Sequence, residues 1–211
     1  MKTEQLVAAL VADGGRAGRP IAATIARALA AGLAVSLAIF AVTLGPRVDL
    51  MPALETWRFD LKLVLVAVAV MAAGACCLAF ARPQSSAHWR LCVALLVVLA
   101  AGALAAELSV LPRGQWMISL VGSNALVCTT AIPLFSLAPL VGLLLALRRT
   151  APASPMLAGA AAGAFAATCA AVIYAFHCFD DSPLFVLVWY PLAMVPAVTV
   201  GAVLGRRLLR W

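Results

Sequence analysis

The chain has 211 residues, 65% of them hydrophobic and 11% charged, with a mean hydropathy of +1.09. This balance excludes an ordinary soluble domain and predicts an integral membrane protein. The net charge of +7 comes from Lys and Arg scattered between apolar runs; with no basic helix face, direct nucleic-acid binding is excluded and membrane topology accounts for the excess.

Residues 1–25 read as a cytoplasmic leader. Met1 to Pro20 contains Glu4, Asp13, Arg16 and Arg19 and lacks the apolar core and cleavage site of a secretory signal, so it is expected to stay on the mature chain. An amphipathic helix is predicted over 3–13, with Thr3 as N-cap, Glu4 in the first turn and Gly14-Gly15 as its stop. Leu6, Val7, Leu10 and Val11 make one apolar stripe. A helix this short is marginal alone in water, since isolated helices need about 12–15 residues. It orders when the stripe is buried, whether on lipid, on the rest of the chain or in a groove of a cytoplasmic partner.

Six apolar runs follow, each near the roughly 20 residues that cross a bilayer core: 26–44, 61–81, 91–108, 125–147, 156–176 and 184–204. The predicted fold class is all-α, an integral membrane bundle of six transmembrane helices ending in a basic cytoplasmic tail, 205–211. Gly45-Pro46, Pro83, Pro112, Pro152 and Pro183 punctuate the runs. Pro133, Pro139, Pro191 and Pro196 fall inside them, where kinks are expected and neighbours must satisfy the freed carbonyls. Small residues, including Gly159-x-x-x-Gly163, allow close helix approach, either within one bundle or in a homo-oligomer.

Eleven basic residues fall on one side of this topology and only Arg47, Arg58, Lys62 and Arg113 on the other, which predicts that both termini are cytoplasmic. Cys128 and Cys178 then belong to the outer face, Cys76, Cys77 and Cys92 lie near the inner one, and Cys169 is buried in the fifth span. Asp60, Lys62 and Glu107 fall at helix ends, so no ionisable residue occupies a mid-span position and an ion pathway is not expected. Zinc-protease spacing, a phosphate loop and a nucleophile elbow are all missing. The expectation is a protein that is not an enzyme and needs no cofactor, with chemistry confined to thiols.

No Cys-x-x-Cys pair is present, which argues against a dithiol oxidoreductase. Cys128 and Cys178 lie on the same side, one helical hairpin apart, within reach of disulfide geometry if the fourth and fifth spans pack together. A permanent disulfide, a switching redox or metal-sensing pair, and unpaired thiols are all compatible with this placement. In the loop His177-Cys178-Phe179-Asp180-Asp181, a protonated His177 lowers the thiol pKa while Asp180 and Asp181 raise it. Cys128, Cys178 and His177 also offer a mixed-ligand set for a soft cation.

Several strings together resemble one family. They are Met1-Lys2-Thr3 before the Leu6/Leu10 helix, Cys128 opening the fourth span, His177-Cys178-x-Asp180-Asp181 with Phe185 to Tyr190 behind it, and the terminal Gly205-Arg206-Arg207-Leu208-Leu209-Arg210-Trp211. In this order they resemble the NrsF-type negative regulators of extracytoplasmic-function (ECF) sigma factors, six-span bacterial inner-membrane anti-sigma proteins. The resemblance implies sequestration of an ECF sigma factor through Lys2, Thr3, Leu6, Val7, Leu10 and Val11. It also implies release on a heavy-metal or oxidative-stress signal sensed by Cys128 and Cys178, with His177, Asp180 and Asp181 as the supporting loop. The residues by themselves also allow a small thiol-dependent enzyme or metal carrier, or a structural subunit with a fixed disulfide.

Overall fold

A computed structural model describes residues 3–5, 21–82 and 87–210. Thr3, Glu4 and Gln5 are helical and exposed; Lys2, Leu6, Val7, Leu10 and Val11, which carry the predicted leader contact, lie outside the described residues. Among the described residues the regular elements are all helical. In chain order they are α1 (Ile21–Thr43), α2 (Leu50–Ala53), α3 (Trp57–Phe80), α4 (His88–Val110), α5 (Trp116–Val121), α6 (Ala125–Leu147), α7 (Pro155–Ala175) and α8 (Pro183–Leu208). Six of them, α1, α3, α4, α6, α7 and α8, are long and apolar enough to cross a membrane. Their alternation puts the loops 44–56, 111–124 and 176–182 at one end of the bundle, hereafter the thiol end.

The fourth run coincides with α6, whereas others outgrow their hydropathy windows. Helix α3 begins at Trp57 and so takes in Asp60 as well as Lys62 of the predicted run, and α8 continues to Leu208, making Gly205, Arg206 and Arg207 helical. Backbone hydrogen bonding continues through polar residues that a hydropathy window rejects. The loops of the thiol end are also more regular than expected, with α2 and α5 inside them.

Helix α7 is the centre of the packing, with 67% of its most apolar window buried against 11% for α4. It packs on α8, α3 and α6, while α1 lies on α6 and α4 lies mainly on α3. Its alanines and glycines permit this: a Cβ on Gly205 would lie 2.7 Å from Gly159 Cα, and one on Gly163 would lie 2.8 Å from Val198 Cα. The Gly159-x-x-x-Gly163 face is therefore used inside this bundle, against α8.

The internal prolines do not end their helices. Pro139 has no N–H to bond the carbonyl of Phe135 one turn earlier, and Ser36 Oγ of α1 donates to that carbonyl at 2.6 Å. A hydroxyl from the neighbouring helix thus replaces the missing backbone donor.

Candidate sensing site

The loop between α7 and α8, residues 176–182, is tied to most of the elements that end beside it. Arg47 N donates to Phe176 O at 2.9 Å, and His177 Nδ1 lies 2.9 Å from Gly45 O, which joins the loop to the α1–α2 connection. Ser182 Oγ donates to Glu107 Oε1 of α4 at 2.8 Å. Asp180 Oδ2 accepts from the backbone N–H groups of Ser123 at 2.9 Å and Asn124 at 2.7 Å, which places a carboxylate at the N-terminus of α6, where the helix dipole favours negative charge. Gly122 makes this approach feasible. Its φ is +60°, and a Cβ there would lie 2.8 Å from Asp180 Cγ and 2.5 Å from Phe185 Cδ2.

Two cations converge on Cys178 itself. Lys62 Nζ donates to the Cys178 carbonyl at 3.0 Å and to Asp181 Oδ1, from a side chain with no exposed surface. Arg47 Nη1 donates to the same carbonyl at 3.1 Å and to Asp181 Oδ2 at 2.9 Å, while its Nε and Nη2 bind Asp49 at 2.8 and 2.7 Å. The hydrogen bonds to Asp49, and then to Asp181, hold the Arg47 guanidinium above its ordinary pKa. Asp49 is in turn held below the usual carboxylate range by Arg47. A second, half-buried ion pair lies nearby: Arg58 Nε donates to Glu107 Oε2 at 3.0 Å, with the Glu107 side chain 1% exposed and Arg58 35% exposed.

Beneath this polar lid lie the thiols. Cys128, in the first turn of α6, and Cys178 are both fully buried in one apolar cluster that includes Tyr174, Phe185 and Tyr190. They sit below the molecular surface and not at the outer face itself, because the aromatic side chains and the loop cover them. Both are free thiols. Cys178 Sγ donates weakly to Asp180 O at 3.6 Å, and the Tyr174 hydroxyl donates to Asn124 O at 3.4 Å. The Tyr190 hydroxyl is buried and has no hydrogen-bond partner among the described residues.

Burial raises the Cys178 pKa; Lys62 and a backbone hydrogen bond with Asp180 oppose that rise, and the Asp180 charge adds to it. The cation that acts on this thiol is therefore Lys62, and His177 is engaged with Gly45. A protonated buried thiol is a poor nucleophile and a poor ligand until it loses its proton. Among the described residues no three His, Cys, Asp or Glu side chains are grouped to hold a metal ion. The set Cys128, Cys178 and His177 is not assembled, since His177 is turned to Gly45 and both Asp180 and Asp181 are committed elsewhere.

Cys128 and Cys178 share one buried cluster, with Asp180 and Asp181 in the loop beside it bound to other partners; Arg47, Lys62, Glu107, Tyr174 and Tyr190 are not singled out as site residues by the sequence. One signal was available for Lys62: Phe59, Lys62 and Val66 are spaced i, i+3 and i+7, and that face of α3 is buried.

The sequence profile of a family described as "Negative regulator of sigma F", NrsF, matches residues 10–211. The chain is 32% identical to the probable anti-sigma-F factor NrsF of Azospira oryzae and 33% identical to the anti-sigma-F factor NrsF of Caulobacter vibrioides. Both alignments cover 100% of this chain and 100% of the relative. No solved structure matches.

Proposed function

Because the chain belongs to the NrsF family of negative regulators of sigma F, we propose that it is a membrane-bound anti-sigma factor. It lies in the bacterial inner membrane with both termini cytoplasmic and the thiol end facing the periplasm. The eleven-to-four distribution of basic residues supports this orientation, and the six long apolar helices suit a multi-pass topology. Its role is to hold a protein partner in an inactive state, with no catalytic step.

The partner is an ECF sigma factor, bound at the cytoplasmic face by Lys2, Thr3, Leu6, Val7, Leu10 and Val11. The signal is a heavy metal or an oxidant that reaches Cys128 and Cys178. The observation that carries this reading is the joint burial of the two thiols beneath a loop tied to α3, α4, α6 and the α1–α2 connection. Modification of either sulfur inside so small a space is incompatible with the closed packing, because a filled core does not tolerate added volume without rearrangement. A change in helix packing at the thiol end then alters the leader at the other. Such coupling requires the signal to act differently on two packings of the bundle.

The test is retention of the sigma factor by the detergent-solubilised full chain, compared with a chain carrying Leu6→Asp and Leu10→Asp. Retention by the parent and loss in the double variant is the expected result. Absence of retention by the parent overturns the anti-sigma reading in favour of a thiol-dependent carrier or a structural subunit. Equal retention by both overturns the leader contact.

A further inference from the structure

We infer that Lys62, paired with Asp181 and assisted by Arg47, is the latch that keeps the Cys178 loop closed over the thiols, and that its release is the step through which the signal acts. The inference about signalling rests on the sensor reading above; the latch itself does not.

The argument starts from the cost of placing an ammonium group where its side chain has no exposed surface. Such a group persists in an apolar bundle only with charged and hydrogen-bonding partners. The polar acceptors of Lys62 are the Cys178 carbonyl and the Asp181 carboxylate, and both belong to one short loop; the Phe59 ring face, 4.8 Å away, completes the surroundings. When the loop lifts, Lys62 loses its loop acceptors together. Arg47 differs, because it keeps the bidentate contact to Asp49 on its own connection. Lys62 is therefore the cation whose pairing depends most completely on loop position.

Lys62 is also the sixth residue of α3, about one and a half turns from the thiol end at 1.5 Å per residue. From there a lysine stem can carry its ammonium out to water once the loop has moved. The closed state supplies fixed partners and the open state supplies hydration, so the same residue supports two packings.

The pair also sets an order among variants. Asp181→Asn leaves a buried ammonium facing a neutral amide. Lys62→Met is milder, because Asp181 still has Arg47. The combination Lys62→Met with Asp181→Asn removes the orphaned charge and recovers closure, since the penalty of a broken buried pair comes from the charge left behind.

The experiment uses the full chain in membrane vesicles, with Cys76, Cys77, Cys92, Cys128 and Cys169 replaced by Ala, and follows alkylation of Cys178 by a water-soluble maleimide. Asp181→Asn is expected to accelerate alkylation by about tenfold or more, Lys62→Met by less, and the double variant to return to within about threefold of the parent. A parallel chain retaining only Cys77, fully buried near the opposite end of α3, reports on the bundle and is expected not to change. An unchanged Cys178 rate in Asp181→Asn, a double variant as reactive as Asp181→Asn, or a matching rise at Cys77 each overturns the latch. Sigma-factor retention by Asp181→Asn, measured on the chain with its native cysteines, decides the signalling role separately. Loss of retention is expected, and full retention alongside an exposed thiol overturns the signalling role while leaving the latch intact.

Discussion

Asp180 and Asp181 are neighbours in the sequence but bind different helices. The Asp180 carboxylate accepts the backbone N–H groups of Ser123 and Asn124 at the start of α6, the helix that carries Cys128. Asp181 binds Lys62 of α3 and Arg47 of the α1–α2 connection. A dipeptide that reads as a pair of cation ligands is instead a two-way tether, and each carboxylate has its own consequence when removed.

Asp180→Ala removes a helix-terminal acceptor at a position where a negative charge is favoured. The expected loss of stability is about 0.5–2 kcal/mol, the range of a lost N-terminal cap, read from thermal unfolding in detergent. Asp180→Asn keeps an acceptor oxygen and should lose less. An equal loss in both variants contradicts the capping role.

Arg58 and Glu107 should respond unequally to truncation. Arg58→Leu leaves the 1% exposed Glu107 carboxylate with Ser182 as its one remaining side-chain donor among the described residues, at an expected cost of about 3–5 kcal/mol. Glu107→Leu leaves Arg58, which is 35% exposed and reaches water, so its cost should be clearly smaller. Comparing the two unfolding midpoints tests this, and a larger shift for Glu107→Leu contradicts it.

The Ser36 hydroxyl is needed because Pro139 lacks an N–H. Ser36→Ala should cost about 1–3 kcal/mol by leaving the Phe135 carbonyl unpaired in the packed bundle. In a Pro139→Ala background the new Ala N–H bonds that carbonyl, and the cost of Ser36→Ala should fall by half or more. Additive costs in the double-mutant cycle would show that Ser36 matters for some other reason.

Burial raises the pKa of Cys178, and the sign of that shift fixes a pH profile. The folded chain favours the neutral thiol, so this contribution to stability is present below the unfolded pKa of about 8.5 and is lost as pH rises through the folded value. Alkylation of Cys178 in the folded chain should still be climbing at pH 9, whereas the same thiol in denatured chain follows an ordinary profile. A half-rise at or below about 8.5 in the folded chain contradicts the shift.

Under the sensor reading, Cys128→Ser and Cys178→Ser should each abolish the induced change in a sigma-dependent reporter exposed to dichromate or cadmium. Repression should persist in both. Unchanged induction in both variants removes the thiols from the sensing role.

Much of the architecture was legible in advance because apolar length is a local property. Each of the six runs holds enough hydrophobic residues for a long helix, and for 125–147 the run and the helix coincide. The two thiols could be assigned to one end by counting helices. Their depth could not be, since burial depends on the aromatic residues that α7 and α8 bring over them.

The sequence by itself determined the number of long helices, the alternation of their connecting loops between two ends and the placing of Cys128 and Cys178 at the same end. The partners of the charges were decided only by tertiary structure. Lys62 and Asp181 are 119 positions apart, Arg58 and Glu107 are 49 apart, and the hydroxyl that serves Pro139 comes from α1, 99 positions from its acceptor. Periodicity and hydropathy act within a window of about 20 residues, whereas an ion pair forms wherever packing brings two helix ends together. That is why a lysine at a helix end, unremarkable in sequence, becomes a fully buried ammonium group held by the loop that covers the thiols.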